Sequence, residues 1–234
     1  MKPNLAVKND VVKTDAQLKE YVLSELAYEP SVKATDIGVL VKDGTLTLNG
    51  FVQSYGEKWG AVRAAKRVAG VKAIADDIEV RLPNSYHHSD GDIAAAAASQ
   101  IKWSTSLPAE AIKITVREGQ ITLEGTLEWG FQKNVAEIAV KYLMGVTGVT
   151  NLITVKSKVT AFGVEDAITA AFERSALLDS NKIDVQVSGN EVTLTGEVRN
   201  HAERDEAERI AWAAPGVSFV DNQLTVKWSW LGEY

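Results

Sequence analysis

The segment "DGTLTLNG" at 43–50 returns as "EGQITLEG" at 118–125 and as "GNEVTLTG" at 189–196. Aligning Gly50, Gly125 and Gly196 extends the correspondence without a gap over 18–80, 93–155 and 164–226. Similarity at a fixed period means several copies of one supersecondary unit, so this chain is expected to fold as three of them rather than as one large domain. The ungapped register also turns the copies into an internal alignment. Positions that all three share are what the unit needs to fold, and positions that differ are free for other uses.

Each block opens with a predicted helix behind a hydroxyl residue, Thr14, Ser89 or Thr160, a residue type that caps helix starts. Its apolar stripe is Leu18/Val22/Leu26, then Ile93/Ala97/Ile101, then Val164/Ile168/Phe172. A strand with period-two alternation follows, and Asp43-Gly44, Glu118-Gly119 and Gly189-Asn190 turn it into a second one. The quoted segments are therefore the turn and returning strand of a hairpin. A second helix with a small-residue face (Ala61/Ala64/Ala65/Val68 and its sisters) is expected to end at Gly70, Gly145 and Gly216, and "ADDIEV", "TNLITV" and "DNQLTV" close the units as strands. The fold class is α+β: three tandem α-β-β-α-β units, each a small three-stranded sheet packed against two helices. The expected boundaries are an N-terminal extension at 1–13, units at 14–82, 89–157 and 158–230, a linker at 83–88 and a tail at 231–234. The third unit carries an extended last strand.

A glycine before the returning strand, a second helix and then "GV-x-x-V-x-N-x-Φ-x-V" together resemble the BON domain. Gly145-Val146, Val149, Asn151, Ile153 and Val155 carry that resemblance, as do Gly216-Val217, Val220, Asn222, Leu224 and Val226. The resemblance covers nearly the whole chain and rests on scaffold residues. It implies a non-enzymatic protein of osmotic or envelope stress that contacts phospholipid membranes or envelope components, and an anionic phospholipid surface or an envelope protein as partner.

Composition narrows the alternatives. No stretch approaches the roughly 18 consecutive apolar residues of a membrane span. The start "MKPNLAVKNDVVKTD" lacks the apolar core of a secretory signal, which predicts a cytoplasmic chain as written and a periplasmic one if a leader has been removed. There are no cysteines, so neither disulfides nor thiol chemistry is available, and a net charge of −6 argues against nucleic acid as a partner. No cluster of acid, base and nucleophile suggests catalysis. His87 and His88 beside Asp90 and Asp92 read as a solvated linker rather than a metal site, and no cofactor is expected. "GVTG" at 145–148 and the Asp76-Asp77 pair read as structural, and Trp103 as a residue at the rim of the core.

The informative differences lie on the outside of the second helix. Repeat 1 carries Tyr55, Trp59, Val62 and Lys66 as a stripe, where its sisters have Gly130, Asn134, Glu137, Lys141 and His201, Asp205, Glu208, Trp212. With Lys58, Arg63, Lys66 and Arg67 against Glu57, the stripe is both aromatic and basic, the composition of an interfacial contact. Tyr55, Trp59, Val62, Arg63, Lys66 and Arg67 are thus candidate lipid or partner contacts, with packing between repeats as the structural alternative. The matching helix of repeat 3 is acidic. Glu203, Asp205, Glu208 and Trp212, with Trp228 and Trp230 of the last strand, are candidates for docking on repeat 1, within the chain or between chains in a homo-oligomer. A cytoplasmic sensor of ions or small ligands is a further alternative.

Overall fold

The computed structural model describes residues 13–156 and 163–227. Repeat 1 runs α1 (Asp15–Tyr28), β1 (Ile37–Lys42), β2 (Thr45–Val52), α2 (Tyr55–Arg67) and β3 (Ala73–Val80). Repeat 2 runs α3 (Asp90–Trp103), β4 (Ile112–Arg117), β5 (Gln120–Leu127) and α4 (Gly130–Lys141), and its last strand is split into β6 (Gly148–Asn151) and β7 (Thr154–Val155). Repeat 3 follows with α5 (Val164–Glu173), β8 (Ile183–Ser188), β9 (Glu191–Val198), α6 (His201–Ala213), β10 (Phe219–Asn222) and β11 (Thr225–Val226). The α-β-β-α-β order expected from the sequence is present in each.

In each sheet the returning strand lies in the middle. In repeat 1, β2 pairs antiparallel with β1, placing Leu48 opposite Val39, and parallel with β3, placing Leu48 opposite Asp76. Alternation along β2 sends Leu46 and Leu48 inward to full burial. There they meet Leu18, Val22 and Leu26 of α1 and Ala61, Ala64 and Ala65 of α2, the alanines letting α2 lie close to the sheet. The same arrangement recurs around Leu123 in repeat 2 and Leu194 in repeat 3, so there are three separate cores.

Two recurrent polar devices hold the unit together. Asp43 and Gly44 have φ of 52° and 79°, and Glu118 and Gly119 have 53° and 75°, the positive angles of a tight hairpin turn. The Asp15 carboxylate, in the first turn of α1, accepts the N–H groups of Asp43 and Gly44 at 2.8 and 3.0 Å. Asp90 accepts those of Glu118 and Gly119, both at 2.9 Å. The second device ties the last strand to the second helix. The Asn151 amide donates to the Lys133 carbonyl and to Glu137, while its oxygen accepts from Ile153 N–H. Asn222 repeats this with Arg204, Glu208 and Leu224. Repeat 1 has an acceptor-only Asp76 at this position, and the missing donor comes from Lys58, whose Nζ lies 3.2 Å from the carboxylate and 2.6 Å from the Ile78 carbonyl. The sister of Glu137 and Glu208 is then apolar Val62.

The structure corrects three local expectations. Helix α5 starts at Val164 behind Gly163, whose φ is 72°, so the third helix is shorter than its sisters; Thr160, expected as its cap, lies outside the described residues. The second helices stop at Arg67, Lys141 and Ala213, ahead of Gly70, Gly145 and Gly216. Those glycines supply positive φ in the turn that follows, not at the helix end itself. Trp103 is 83% exposed rather than part of the core rim, because it sits at the end of α3 with its ring directed away from the sheet-facing stripe.

The turn latch makes a pH-dependent prediction. The Gly119 and Glu118 N–H groups hold the Asp90 carboxyl below its ordinary value. Asp90→Ala should lower the Tm of the protein by a few degrees at pH 7. A depressed folded-state pKa gives stability that is complete above the unfolded value of about 4 and lost as pH falls through the folded one. The gap between variant and wild type should therefore close in thermal scans below about pH 4. Equal Tm values at neutral pH would show that the latch contributes nothing.

Candidate functional site

The stripe on the outside of the second helices is where the three repeats meet. At the first junction the start of α2 meets the end of α4. The Trp59 ring stands edge-on to Tyr142, with centroids 6.4 Å apart and planes at 81°. Lys141, only 3% exposed, places Nζ 3.3 Å from the centre of the Trp59 ring, and the Arg63 guanidinium lies 4.7 Å from that same centre. A desolvated cation on an indole face is worth about 2 kcal/mol. Burial pushes the Lys141 ammonium below its ordinary pKa; Glu137 opposes that shift and Arg63 adds to it. Tyr142 lies so close to α2 that a Cβ on Gly56 would come within 2.5 Å of its ring. Tyr55 reaches over to pack on the core of repeat 2. Burial there raises its hydroxyl pKa, with Glu137 and Asp76 adding to the effect and the Val149 N–H opposing it.

At the second junction the start of α4 meets the end of α6. A Cβ on Gly130 would fall 2.2 Å from Cε3 of Trp212 and 2.8 Å from its carbonyl oxygen. Only glycine allows so close an approach. At the third, the start of α6 meets the end of α2. Lys66 Nζ and Asp205 Oδ2 are 2.7 Å apart, and His201 Nε2 lies 3.2 Å from the Lys72 carbonyl oxygen. Burial lowers the His201 pKa, which favours the neutral ring that donates to that carbonyl.

The three junctions use the same positions. In the register of the repeat, Lys141, Trp212 and Lys66 are equivalent, and each meets a residue equivalent to Tyr55 or Trp59 of another repeat: Trp59, Gly130 and Asp205. Repeat 1 contacts repeat 2, repeat 2 contacts repeat 3, and repeat 3 returns to repeat 1. This is a heterologous contact whose rotation closes after three copies, built within one chain. Closure accounts for the differences between sister residues, since each junction is filled by its own pair: Trp59 with Lys141, Gly130 with Trp212, Asp205 with Lys66.

Most of the residues singled out from the sequence are thereby engaged. Tyr55, Trp59 and Lys66 lie at junctions, and Val62 packs on the core of repeat 1. Arg67 pairs with Glu25 at 2.8 Å and with Glu29 at 3.0 Å. Arg63 is half-exposed beside Trp59 and pairs with Glu29 at 3.6 Å. In repeat 3, Asp205 and Trp212 are junction residues. Glu203 is buried, accepting from the Arg199 N–H at 2.9 Å and pairing with its guanidinium, and Glu208 holds Asn222. Trp228 and Trp230 lie outside the described residues. Asp90 serves the hairpin turn and Asp92 bonds Ser89, so both are bound to protein groups beside His87 and His88. Among the described residues no group of three or more His, Asp or Glu side chains converges as metal ligands would.

Of the junction partners, Gly130 and Lys141 stand in the sequence only as sister positions of the repeat 1 stripe, and neither Tyr142 nor the ridge that repeat 2 leaves open was marked. Phe131 and Ile138 on α4 and Tyr142 just after it are 40, 53 and 60% exposed, and Trp103 at the end of α3 is the sister of Arg174, which lines one groove with the sisters of Ile138 and Tyr142 in repeat 3. The sisters of Phe131, Ile138 and Tyr142 are Gly56, Arg63 and Arg67 in repeat 1 and Ala202, Arg209 and Ala213 in repeat 3. The internal alignment already held this signal, in a second stripe of the same helix. Lys102 shares α3 with Trp103, and Arg63 lies beside the ridge at the Trp59–Tyr142 contact.

Comparison with known proteins agrees with the repeat structure. The sequence profile of the BON domain matches residues 14–81, 89–157 and 161–227. The chain is 30% identical over 146 residues to osmotically-inducible protein Y of Escherichia coli K12, which covers 61% of this chain and 73% of that protein. Among solved structures it is similar to the C-terminal domain of CdsD, a structural protein of the type III secretion system of Chlamydia trachomatis. Identity there is 15%, over 92% of this chain and all of that one, with a TM-score of 0.25. A second CdsD structure gives 14% and 0.26. Likeness at that level does not bear on how the repeats are arranged here.

The junctions predict coupling between repeats. Gly130→Ala forces a methyl group into Trp212 and should destabilise the protein by about 1–3 kcal/mol, the usual cost of overpacking. Trp212→Ala in the same chain should recover part of that loss, read as a coupling energy in a double-mutant cycle of denaturant unfolding. Additive effects would mean that the second junction does not form in solution.

Proposed function

This chain belongs to the BON domain family, and from that premise we propose that it is a non-catalytic binding module of a stress response, acting at the cell envelope on anionic phospholipid surfaces. The stress setting is supported by its likeness to a protein named as osmotically inducible. The observation that carries the lipid reading is the exposed ridge of Trp103, Phe131, Ile138 and Tyr142, with Lys102 next to Trp103 on α3 and Arg63 at the Trp59–Tyr142 contact. Aromatic side chains with basic neighbours suit the headgroup boundary, where rings enter the acyl region and cations remain among the phosphates. Among the described residues no helix is long and apolar enough to cross a membrane, so the contact is one of surface attachment.

This reading moves the contact from α2 to the neighbouring ridge. Trp59, first in line on sequence grounds, has its face occupied by Lys141 and its edge by Tyr142. Arg63 belongs to both surfaces. The basic face of repeat 1 and the acidic face of repeat 3 already meet through Lys66 and Asp205 inside the chain, so that pair is engaged before any second copy arrives.

Co-sedimentation with phosphatidylglycerol vesicles and with neutral phosphatidylcholine vesicles tests the proposal. Binding should need the anionic lipid and weaken at high salt. Trp103→Ala with Ile138→Asp should reduce affinity about tenfold or more, equivalent to at least about 1.4 kcal/mol. Thermal unfolding should change little, because both side chains are exposed. Failure to bind anionic vesicles at low salt would sink the lipid reading.

A further inference from the structure

The groove between the first and second helix differs among the three repeats. In repeat 3 it is a trench of about 600 Å³ between α5 and α6, floored by Ala167, Ala171, Ile210 and Ala213, with Arg174 and Arg209 at its rim. In repeat 1 the same place is filled by Arg67 and the two carboxylates it pairs with. In repeat 2 it is overfilled. The sisters of Arg174, Arg209 and Ala213 are Trp103, Ile138 and Tyr142, exposed by 83, 53 and 60%. One repeat therefore carries a hole where another carries a knob.

Apolar shape, not local charge, matches the two. Residues 163–227 hold twelve acidic and six basic side chains, so an excess equal to the whole chain's net charge of −6 lies on repeat 3. Three acids, Glu165, Asp166 and Glu173, are on α5, but the trench itself is edged by Arg174 and Arg209, and its Glu206 is paired with Arg209 at 2.7 Å. Lys102 precedes Trp103 on α3, Arg63 at the Trp59–Tyr142 contact pairs with Glu29 at 3.6 Å, and Glu137, the acid in the body of α4, is bonded to Asn151. The trench has room for an indole together with an aliphatic side chain, and the Arg174 guanidinium at its edge suits an indole face. The knob is also continuous with an interface already formed, because Tyr142 belongs both to it and to the first junction.

We propose that this protein self-associates head to tail, the Trp103–Ile138–Tyr142 knob of one copy seating in the α5/α6 trench of the next. Knob and trench lie on different repeats, so the contact is heterologous and each pair leaves one of each unused. Association therefore extends with concentration unless it closes into a ring. Burial of the apolar knob, rather than charge, drives the contact. The proposal does not rest on the lipid reading. The two share the knob and compete for it, whereas only self-association uses the trench.

Analytical ultracentrifugation of the full chain across the micromolar range, at low and high salt, tests it. The mean mass of the wild type should rise with concentration at low salt and no less at high salt, because the contact is apolar and each chain carries a net charge of −6. Trp103→Ala and Ala213→Glu, both at exposed positions, should each weaken association about tenfold or more while circular dichroism shows an unchanged fold. Mixing the two variants leaves one good knob and one good trench, so they should form a 1:1 complex and nothing larger. Ala213→Glu should still bind anionic vesicles if the lipid reading holds, which separates the failure of one proposal from that of the other. A constant monomer mass at all concentrations, an Ala213→Glu variant that associates like the wild type, or a mixture that does not pair would each overturn the proposal.

Discussion

The arrangement depends on the contact between the start of one second helix and the end of another, made three times and closed upon itself. A unit of this size buries a limited core, and three such units on short connections gain from covering one another. The contact is not filled by one residue pair copied three times. An aromatic–cation stack, a glycine beneath an indole and a salt bridge each occupy it once. Their strengths differ in kind. The Lys141–Trp59 stack is sheltered from solvent, while the Lys66–Asp205 pair is part-exposed and worth under about 1 kcal/mol. The first two junctions are therefore the firm ones, and the third, which closes the ring, is the polar and salt-sensitive one.

Fold was legible in the sequence because it is written three times. Period-two alternation, turn residues and small-residue helix faces recur in register, and each recurrence removes an alternative. The departures came where a single copy broke the pattern. The α5 start moved because Gly163 caps it instead of a hydroxyl residue, and Trp103 reads as core by composition although its place on the helix turns it outward. Exchanges such as Asn for Asp76 could be aligned but not explained until Lys58 was seen beside it.

The candidate site was legible only in part, for a physical reason. Aromatic and basic residues on one helix face have the same composition whether they meet lipid or a neighbouring repeat, and sequence gives faces without saying which faces meet. Tyr55, Trp59 and Lys66 were correctly marked as unlike their sisters, yet their neighbours lie on other repeats, far away in the chain. Once the ring is in place, attention shifts to what it leaves outside. Repeat 2 then offers an apolar ridge and repeat 3 a trench, features that follow from alanine, isoleucine and tryptophan at corresponding positions.

Zero-length carbodiimide cross-linking followed by peptide mass spectrometry tests the closed ring most directly, since it joins only amines and carboxylates already in contact. The closed arrangement predicts an amide between Lys66 and Asp205 in the monomeric fraction, alongside the local Lys33–Asp36 pair, whose atoms are 2.6 Å apart and serve as a control. Recovery of the Lys33–Asp36 product without any Lys66–Asp205 product would contradict it, leaving the three repeats as an open string.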